Sequence, residues 1–113
     1  MVFHAQYLAF MERARSELLN AQGIDLARFT EQHGVLFLVH HISVTYHRPA
    51  LLNDQLTASA EVAKMGRASF VFHQRVERGA ELLVEADVTL ALVDRRRMKP
   101  ARMPDELQQA LNR

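Results

Sequence analysis

The sequence predicts an α+β fold in which one long helix is followed by an antiparallel sheet that wraps around it. Apolar residues recur at helical spacing near the start of the chain, and β-branched, alternating segments fill most of the remainder. The chain has 113 residues, 49% of them hydrophobic, which suits one domain with a modest core. We therefore expect a single domain over residues 1–113.

The first predicted element is a helix over residues 5–22, which Gly23 ends. Its apolar residues follow helical spacing, and neither Gly nor Pro interrupts them. Residues 7–11 are five consecutive apolar residues that cover every side of the helix, so we expect this half to be buried all round. A short helical or irregular stretch over residues 25–33 follows.

Four strands are predicted after Gly34, where β-branched and aromatic residues become frequent. They cover residues 35–47, 55–64, 68–76 and 82–93. Short links between them, including a connection over residues 77–81 that contains Gly79, imply an antiparallel sheet. Near the end, Pro104 in the first turn and two following acidic residues predict a short terminal helix.

A single small sheet wrapped around one helix leaves strand edges and apolar surface uncovered. Pairing with a second copy of the chain hides both, and most such assemblies are symmetric. We therefore expect a homodimer or a homotetramer.

Composition excludes several classes of protein. The 14 basic and 13 acidic residues give a net charge of +1, which does not predict a nucleic-acid partner or a broad membrane footprint. The chain has no cysteine, so it has no disulfide, thiolate metal site or cysteine nucleophile. Residues 1–6 lack the basic start and apolar core of a signal peptide, and no apolar run approaches the roughly 20 residues that span a bilayer. We expect a cytoplasmic protein without a cofactor.

The histidines do not predict a metal site. His40 and His41 are neighbours on a predicted strand and point to opposite faces. His41 and His47 share a face, but at about 3.3 Å per residue they lie too far apart to chelate one ion. Ser43 lacks the G-x-S-x-G elbow of a serine nucleophile, so no catalytic triad is expected either.

Residues 4–15, HAQYLAFMERAR, closely resemble the H-x-x-Y-L-x-F-x-E-R-A-R helix of the 4-hydroxybenzoyl-CoA thioesterase-like hotdog enzymes. The nearest branch is the bacterial acyl-CoA thioesterases encoded alongside the Tol-Pal system. The resemblance implies the hotdog fold and an enzyme that hydrolyses acyl-CoA to a free acid and CoA. It continues over nearly the whole chain, at Tyr46, Pro49, Ala50, Leu52, Asp54, Leu56, Ser69, Phe72, Gln74, Val93, Asp94, Met98, Lys99, Pro100 and Pro104.

In that family an aspartate precedes the helix in the pattern D-x-x-G-x-V-x-H, whose last residue corresponds to His4. The resemblance implies that this aspartate attacks the thioester or activates the water that does. The chain starts inside the pattern at Met1. We therefore expect the first strand and the catalytic-loop segment to be missing at the N-terminus, through a misassigned start or a truncation. In that case the chain as written binds the thioester without hydrolysing it.

Two residues are candidates for catalysis. His4 lies at the start of the predicted helix, beside its free backbone N–H groups, and can orient the substrate or the family carboxylate. The alternative is a histidine that caps the helix or lies on the surface. Glu12 is the fallback nucleophile or base, although an ion pair with Arg15 explains it as well. Tyr7 is a candidate for lining the acyl pocket, and a place in the core is equally consistent with its position.

The substrate-binding candidates lie later in the chain. The run over residues 94–99 places four cations at the end of the last strand, where they suit the phosphates of CoA, although a solvated strand end is the alternative. The resemblance matches Lys99 best and Arg95 to Arg97 less securely. Ser69, which follows the turn at Gly66, is a candidate for binding the pantetheine arm.

Two other functions remain open on the sequence. A non-catalytic module that binds acyl-CoA or acyl-carrier protein would keep the pocket and the basic run without a competent carboxylate. A structural partner of envelope or lipid-synthesis proteins would have no affinity for CoA.

Overall fold

The computed structural model describes residues 4–51 and 54–112, the first three of these by their backbone alone. The predicted first helix and the four predicted strands are confirmed, each end within two residues of its expected place. The described elements, in chain order, are α1 (His4–Ala21), α2 (Leu26–His33), β1 (Val35–Tyr46), β2 (Thr57–Met65), β3 (Ser69–Arg78), β4 (Glu81–Asp94) and α3 (Asp105–Leu111).

The described strands form one antiparallel sheet in the order β1-β4-β3-β2, so β1 and β2 are its edges. β3 and β4 are joined by Gly79 and Ala80 alone, because Arg78 already pairs with Glu81. Gly79 has φ +62°, a left-handed conformation that suits glycine in a tight turn. The link is therefore shorter than the predicted connection over residues 77–81.

The core lies between α1 and the inner face of the sheet. α1 packs on β2 and β3 through buried residues that include Met11 and Leu19. A row of aromatic rings links α2 to the centre of the core, since Phe37 lies 5.7 Å from Phe29 and 6.3 Å from Phe70. The sheet therefore wraps one side of α1, which confirms the expected α+β hotdog arrangement.

The two shorter helices have clear boundaries. Asp25 caps α2 by accepting hydrogen bonds from the N–H groups of Ala27 and Arg28 at 3.1 and 3.3 Å. α3 begins one residue after Pro104, which is its N-cap and not part of its first turn as predicted. Among the described residues no helix is long and apolar enough to cross a membrane.

The expectation that the first half of α1 is buried all round is wrong for a single chain. Tyr7 and Met11 are buried, but Ala9 is exposed and Phe10 is 37% exposed. The reason is that the sheet covers only one side of the helix. Five consecutive apolar residues therefore leave apolar surface on α1 that the described part of the chain does not cover.

β1 also carries uncovered apolar surface. Val39, Ile42 and Tyr46 are 50%, 36% and 48% exposed. Directly opposite residues in an antiparallel pair share a face, and Ile42 lies opposite the fully buried Val88. These three side chains thus belong to the inner face of the sheet, which extends past the edge of α1.

Candidate functional site

The first turn of α1 lies beside the end of β1. The Tyr7 hydroxyl accepts a hydrogen bond from the N–H of Ala50 at 3.2 Å, and its ring packs edge-on against Tyr46 with centroids 5.7 Å apart. The first backbone N–H groups of a helix have no partner within it, so they can bind a developing oxyanion. We call this region the helix-start end, defined by His4, Tyr7, Tyr46 and Ala50.

The predicted residues of the helix-start end differ in what the structure shows of them. The backbone of His4 is the first residue of α1, and its side chain lies outside the described part of the chain. Tyr7 is only 3% exposed, so the structure places its ring in the core, and a role in the acyl pocket stays a prediction. Tyr46, which is half exposed beside it, is better placed to meet a ligand, and the sequence matched it to the family without predicting a place in the site.

Glu12 lies about 12 Å along the axis of α1 from His4, because each helical residue advances the chain by about 1.5 Å. Its side chain is exposed. Burial lowers the pKa of the Arg15 guanidinium, and the negative charge of Glu12 acts in the opposite direction and raises it. The structure therefore places Glu12 away from the helix start.

The basic run at the end of β4 forms a tight loop organised by Asp94. The N–H groups of Arg96 and Arg97 each donate to the Asp94 carboxylate at 2.9 Å, and these bonds lower its pKa. Met98 closes the loop with φ 55°, and its N–H donates to the Asp94 carbonyl at 2.8 Å. The arginine side chains are consequently held on the surface.

The chain then crosses the end of the sheet to the turn between β2 and β3. The N–H of Ala101 donates to the Leu92 carbonyl at 2.9 Å, and that of Met103 to the Arg67 carbonyl at 2.7 Å. Arg102 is thereby brought to Arg67. Together they border a cavity of about 600 Å³ lined by Met65, Gly66, Arg67, Arg102, Met103 and Gln108.

Arg67 and Arg102 extend the predicted basic run into a larger surface. We call it the basic end, and it also borders the half-buried Ser69, whose carbonyl accepts from Gly66 at 2.7 Å. Within the described ranges no salt bridge neutralises any of its cations. Isolated arginines far apart in sequence gave no pattern from which to predict it. Its members are Arg67, Arg95, Arg96, Arg97, Lys99 and Arg102.

The helix-start end and the basic end lie at opposite ends of the sheet. Tyr46 pairs with Val84, and Val35 pairs with Asp94, so ten steps of β4 separate the two ends. At about 3.3 Å per residue this is about 33 Å. One chain therefore places His4 and Tyr7 at one end, and Ser69, Arg97 and Lys99 at the other.

The described residues include no group of three His, Asp or Glu side chains that could hold a metal ion. His40 and His41 are exposed, and the strand register shifts between Val39 and His41. On the outer face of the sheet, His73 lies 2.9 Å from Asp87 as a surface pair. These histidines have no visible part in the candidate site.

Comparison with known proteins connects this geometry to an activity. Residues 1–85 match the model of the thioesterase superfamily. The acyl-CoA thioesterase YbgC of Haemophilus influenzae is 35% identical over 112 residues, covering 99% of this chain and 82% of that protein. The acyl-CoA thioester hydrolase YbgC of Escherichia coli O157:H7 is 37% identical over 108 residues, covering 95% and 80%. The crystal structure of a probable thioesterase from Bartonella henselae matches with a TM-score of 0.82 at 34% identity, covering 91% and 85%.

Proposed function

This chain belongs to the thioesterase superfamily, and from that premise we propose how it acts on acyl-CoA. It is an acyl-CoA thioester hydrolase with the hotdog fold, which the activity named for relatives at 35% and 37% identity supports. The proposal concerns where its site forms. The observation that carries it is the position of the two groups of candidate residues at opposite ends of one sheet.

Pairing of two chains through β1 would bring the helix-start end of one chain beside the basic end of the other. β1 is an edge strand of the described sheet and carries exposed apolar side chains, and an edge strand with such a surface favours pairing with a second copy. A twofold axis perpendicular to the sheet pairs the two β1 strands antiparallel and keeps their apolar faces on the same side, so the Val35 end of one lies beside the Tyr46 end of the other. The basic loop is attached at the Val35 end, because the N–H of Arg95 donates to the Gly34 carbonyl at 2.9 Å.

Each site in such a dimer combines the helix-start end of one copy with the basic end of the other. The first N–H groups of α1 polarise the thioester carbonyl and stabilise the oxyanion. The carboxylate that the family pattern implies before His4 attacks the carbonyl or activates water, and His4 orients it. The C–S bond breaks, the acyl carbon gains the hydroxyl of water, and the CoA sulfur takes the proton.

The basic end binds the phosphates of CoA in this proposal. Arg67 and Arg102 face the cavity, and guanidinium groups suit phosphate oxygens because they donate two parallel hydrogen bonds. Arg97 and Lys99 extend the positive surface, and Ser69 lies beside the path of the pantetheine arm. The same cations suit an acidic acyl-carrier protein as a second thioester donor. Acyl-CoA and acyl-carrier-protein thioesters as substrates, together with a sequence without cysteine, support a cytoplasmic location.

The test is a CoA-release assay with aliphatic and aromatic acyl-CoAs. It is run on this chain and on a version extended upstream along the genomic reading frame, each with and without Glu12→Gln. Hydrolysis by the extended version alone, insensitive to Glu12→Gln, supports a carboxylate before His4. Hydrolysis by the chain as written that Glu12→Gln abolishes moves the chemistry to Glu12. CoA binding without hydrolysis by either version contradicts the enzyme in favour of a binding module.

A further inference from the structure

A buried hydrogen-bond network joins the centre of the sheet to the middle of α1. Gln74 of β3 is fully buried, and its amide nitrogen donates to the backbone carbonyl of Met11 at 2.8 Å. The amide oxygen accepts from the guanidinium of Arg15 at 2.8 Å. The same amide nitrogen also reaches the carbonyl of Ser59 on β2 at 3.5 Å. One side chain thus binds two points of α1 that are one helical turn apart.

Gln74 occupies a position that the alternation of β3 would give to an apolar residue. Its inward neighbours on the strand, Phe72 and Val76, are both fully buried. Burying an amide among such residues is unfavourable unless its donors and acceptors find partners. Here they do, and no described buried side-chain nitrogen or oxygen lacks a partner. An apolar side chain would fill the same space without needing hydrogen-bond partners. The Gln74 amide therefore serves to fix the placement of α1 on the sheet more than to stabilise the fold.

Arg15 is the second buried polar side chain of this network, at 9% exposure. Its guanidinium is held inside the protein by the Gln74 amide and lies close enough to Glu12 to feel its charge. Hydrogen bonds are directional, whereas apolar packing permits small shifts. Two bonds to points one turn apart therefore fix both the rotation of α1 and its position along the sheet.

We infer that Gln74 is a positioning residue for thioester hydrolysis, acting through Met11 and Arg15 to set where the first N–H groups of α1 lie. The inference rests on the proposed function, in which those groups bind the oxyanion. A displacement of about 1 Å in such groups lowers a rate by about a hundredfold. Gln74 touches no reacting atom and affects catalysis only through the placement of α1.

Three variants of the active protein separate positioning from packing. Gln74→Met keeps the volume and removes both bonds, and Gln74→Glu keeps the acceptor for Arg15 while removing the donor to Met11. Phe72→Leu is the control, since it disturbs the same face of β3 without a polar contact. We expect both Gln74 variants to lower kcat by about tenfold to a hundredfold with KM within about threefold, and Phe72→Leu to lower Tm with kcat within about threefold.

Hydrogen exchange of the α1 amides provides a readout that does not depend on activity. We expect Gln74→Met to accelerate amide exchange in the first three turns of α1 while the amides of β4 stay protected. If Gln74→Met fails to fold, we expect the same pattern of exchange in Gln74→Glu. Wild-type kcat together with wild-type exchange in a folded Gln74 variant overturns the inference. If the wild-type protein does not hydrolyse acyl-CoA, the proposed function is contradicted instead. The hydrogen-exchange data still decide whether Gln74 positions α1.

Discussion

The Tyr7 hydroxyl and the Ala50 N–H form a buried hydrogen bond of 3.2 Å that ties the first turns of α1 to the loop after β1. Tyr7→Phe would leave the Ala50 N–H buried and unpaired, at a cost of about 1 to 3 kcal/mol in the free energy of unfolding. Denaturant unfolding measures this loss. Ser43→Ala removes an exposed hydroxyl and is the matched control, and equal stability of the two variants would show that the bond contributes nothing.

Arg78 holds the other side of the same loop. The Asp54 carboxylate accepts from the N–H of Leu51 and from Arg78, both at 2.6 Å, and the Glu81 carboxylate accepts from Arg78. These bonds lower the pKa of both carboxyl groups below their ordinary values of 3.8 and 4.5, with the Leu51 bond the largest cause at Asp54 and the Arg78 bond the largest at Glu81. A lowered pKa stabilises the fold above the ordinary value, and that stability is lost as pH falls through the folded value. Arg78→Gln should therefore lower Tm at pH 7.

The difference in Tm between Arg78→Gln and the wild type should shrink as the pH falls below about 4, where the carboxyl groups of both proteins become protonated. Tm measured from pH 3 to pH 7 gives the profile. Arg75→Gln, at an exposed position of β3, should show no such pH-dependent difference. A constant difference for Arg78→Gln across the whole range would contradict the assigned ion pairs.

Arg67 and Arg102 should act on substrate binding more than on turnover. Arg67→Ala or Arg102→Ala is expected to raise KM for acyl-CoA by about threefold to tenfold, through the loss of a charge-assisted phosphate contact. An acyl-pantetheine substrate, which has no phosphates, should show no such rise. Arg28→Ala on the exposed face of α2 is the control. An equal rise for both substrates would show that the cavity does not bind phosphate.

Ile42 should be required for assembly. Ile42→Arg places a charge in the exposed apolar surface of β1, and we expect it to convert the protein to a monomer. Light scattering coupled to size-exclusion chromatography measures the mass. Thr57→Arg on the opposite edge strand should leave the mass of the assembly unchanged. A dimeric Ile42→Arg variant would refute pairing through β1.

Local patterns in the sequence were sufficient for the first helix and the strands. The predicted strand over residues 55–64 is β2, whose alternating Ala58, Ala60 and Val62 form a half-buried face, and Gly23 ends α1 through its positive φ. Both depend on backbone preferences that act over a few residues. The α+β fold followed from the order of these elements.

The candidate site could not be predicted to the same extent, because it depends on contacts between distant segments. Arg67 joins the basic end because the N–H of Met103 donates to its carbonyl and the N–H of Leu92 donates to that of the neighbouring Ala68. Gln74 matched the family pattern, yet its role is visible only once Arg15 and Met11 are seen beside it. Phe10 is 37% exposed in a single chain, contrary to the predicted burial, because an apolar run does not reveal whether its own chain or a second copy covers it.

Complementation between two defective variants tests the central claim most directly, namely that each site combines ends from two copies. One variant carries His4→Ala at the helix-start end, and the other carries Arg67→Ala and Arg102→Ala at the basic end, both in the active form of the protein. In a mixed dimer one site has both defects and the other has none. With acyl-CoA well below the KM of the variant that lacks both arginines, each variant alone should hydrolyse it slowly, and the co-expressed variants should recover about a quarter of wild-type hydrolysis, since random pairing makes half of the dimers mixed. Activity no higher than the average of the two separate variants would place each site within a single chain and contradict the account.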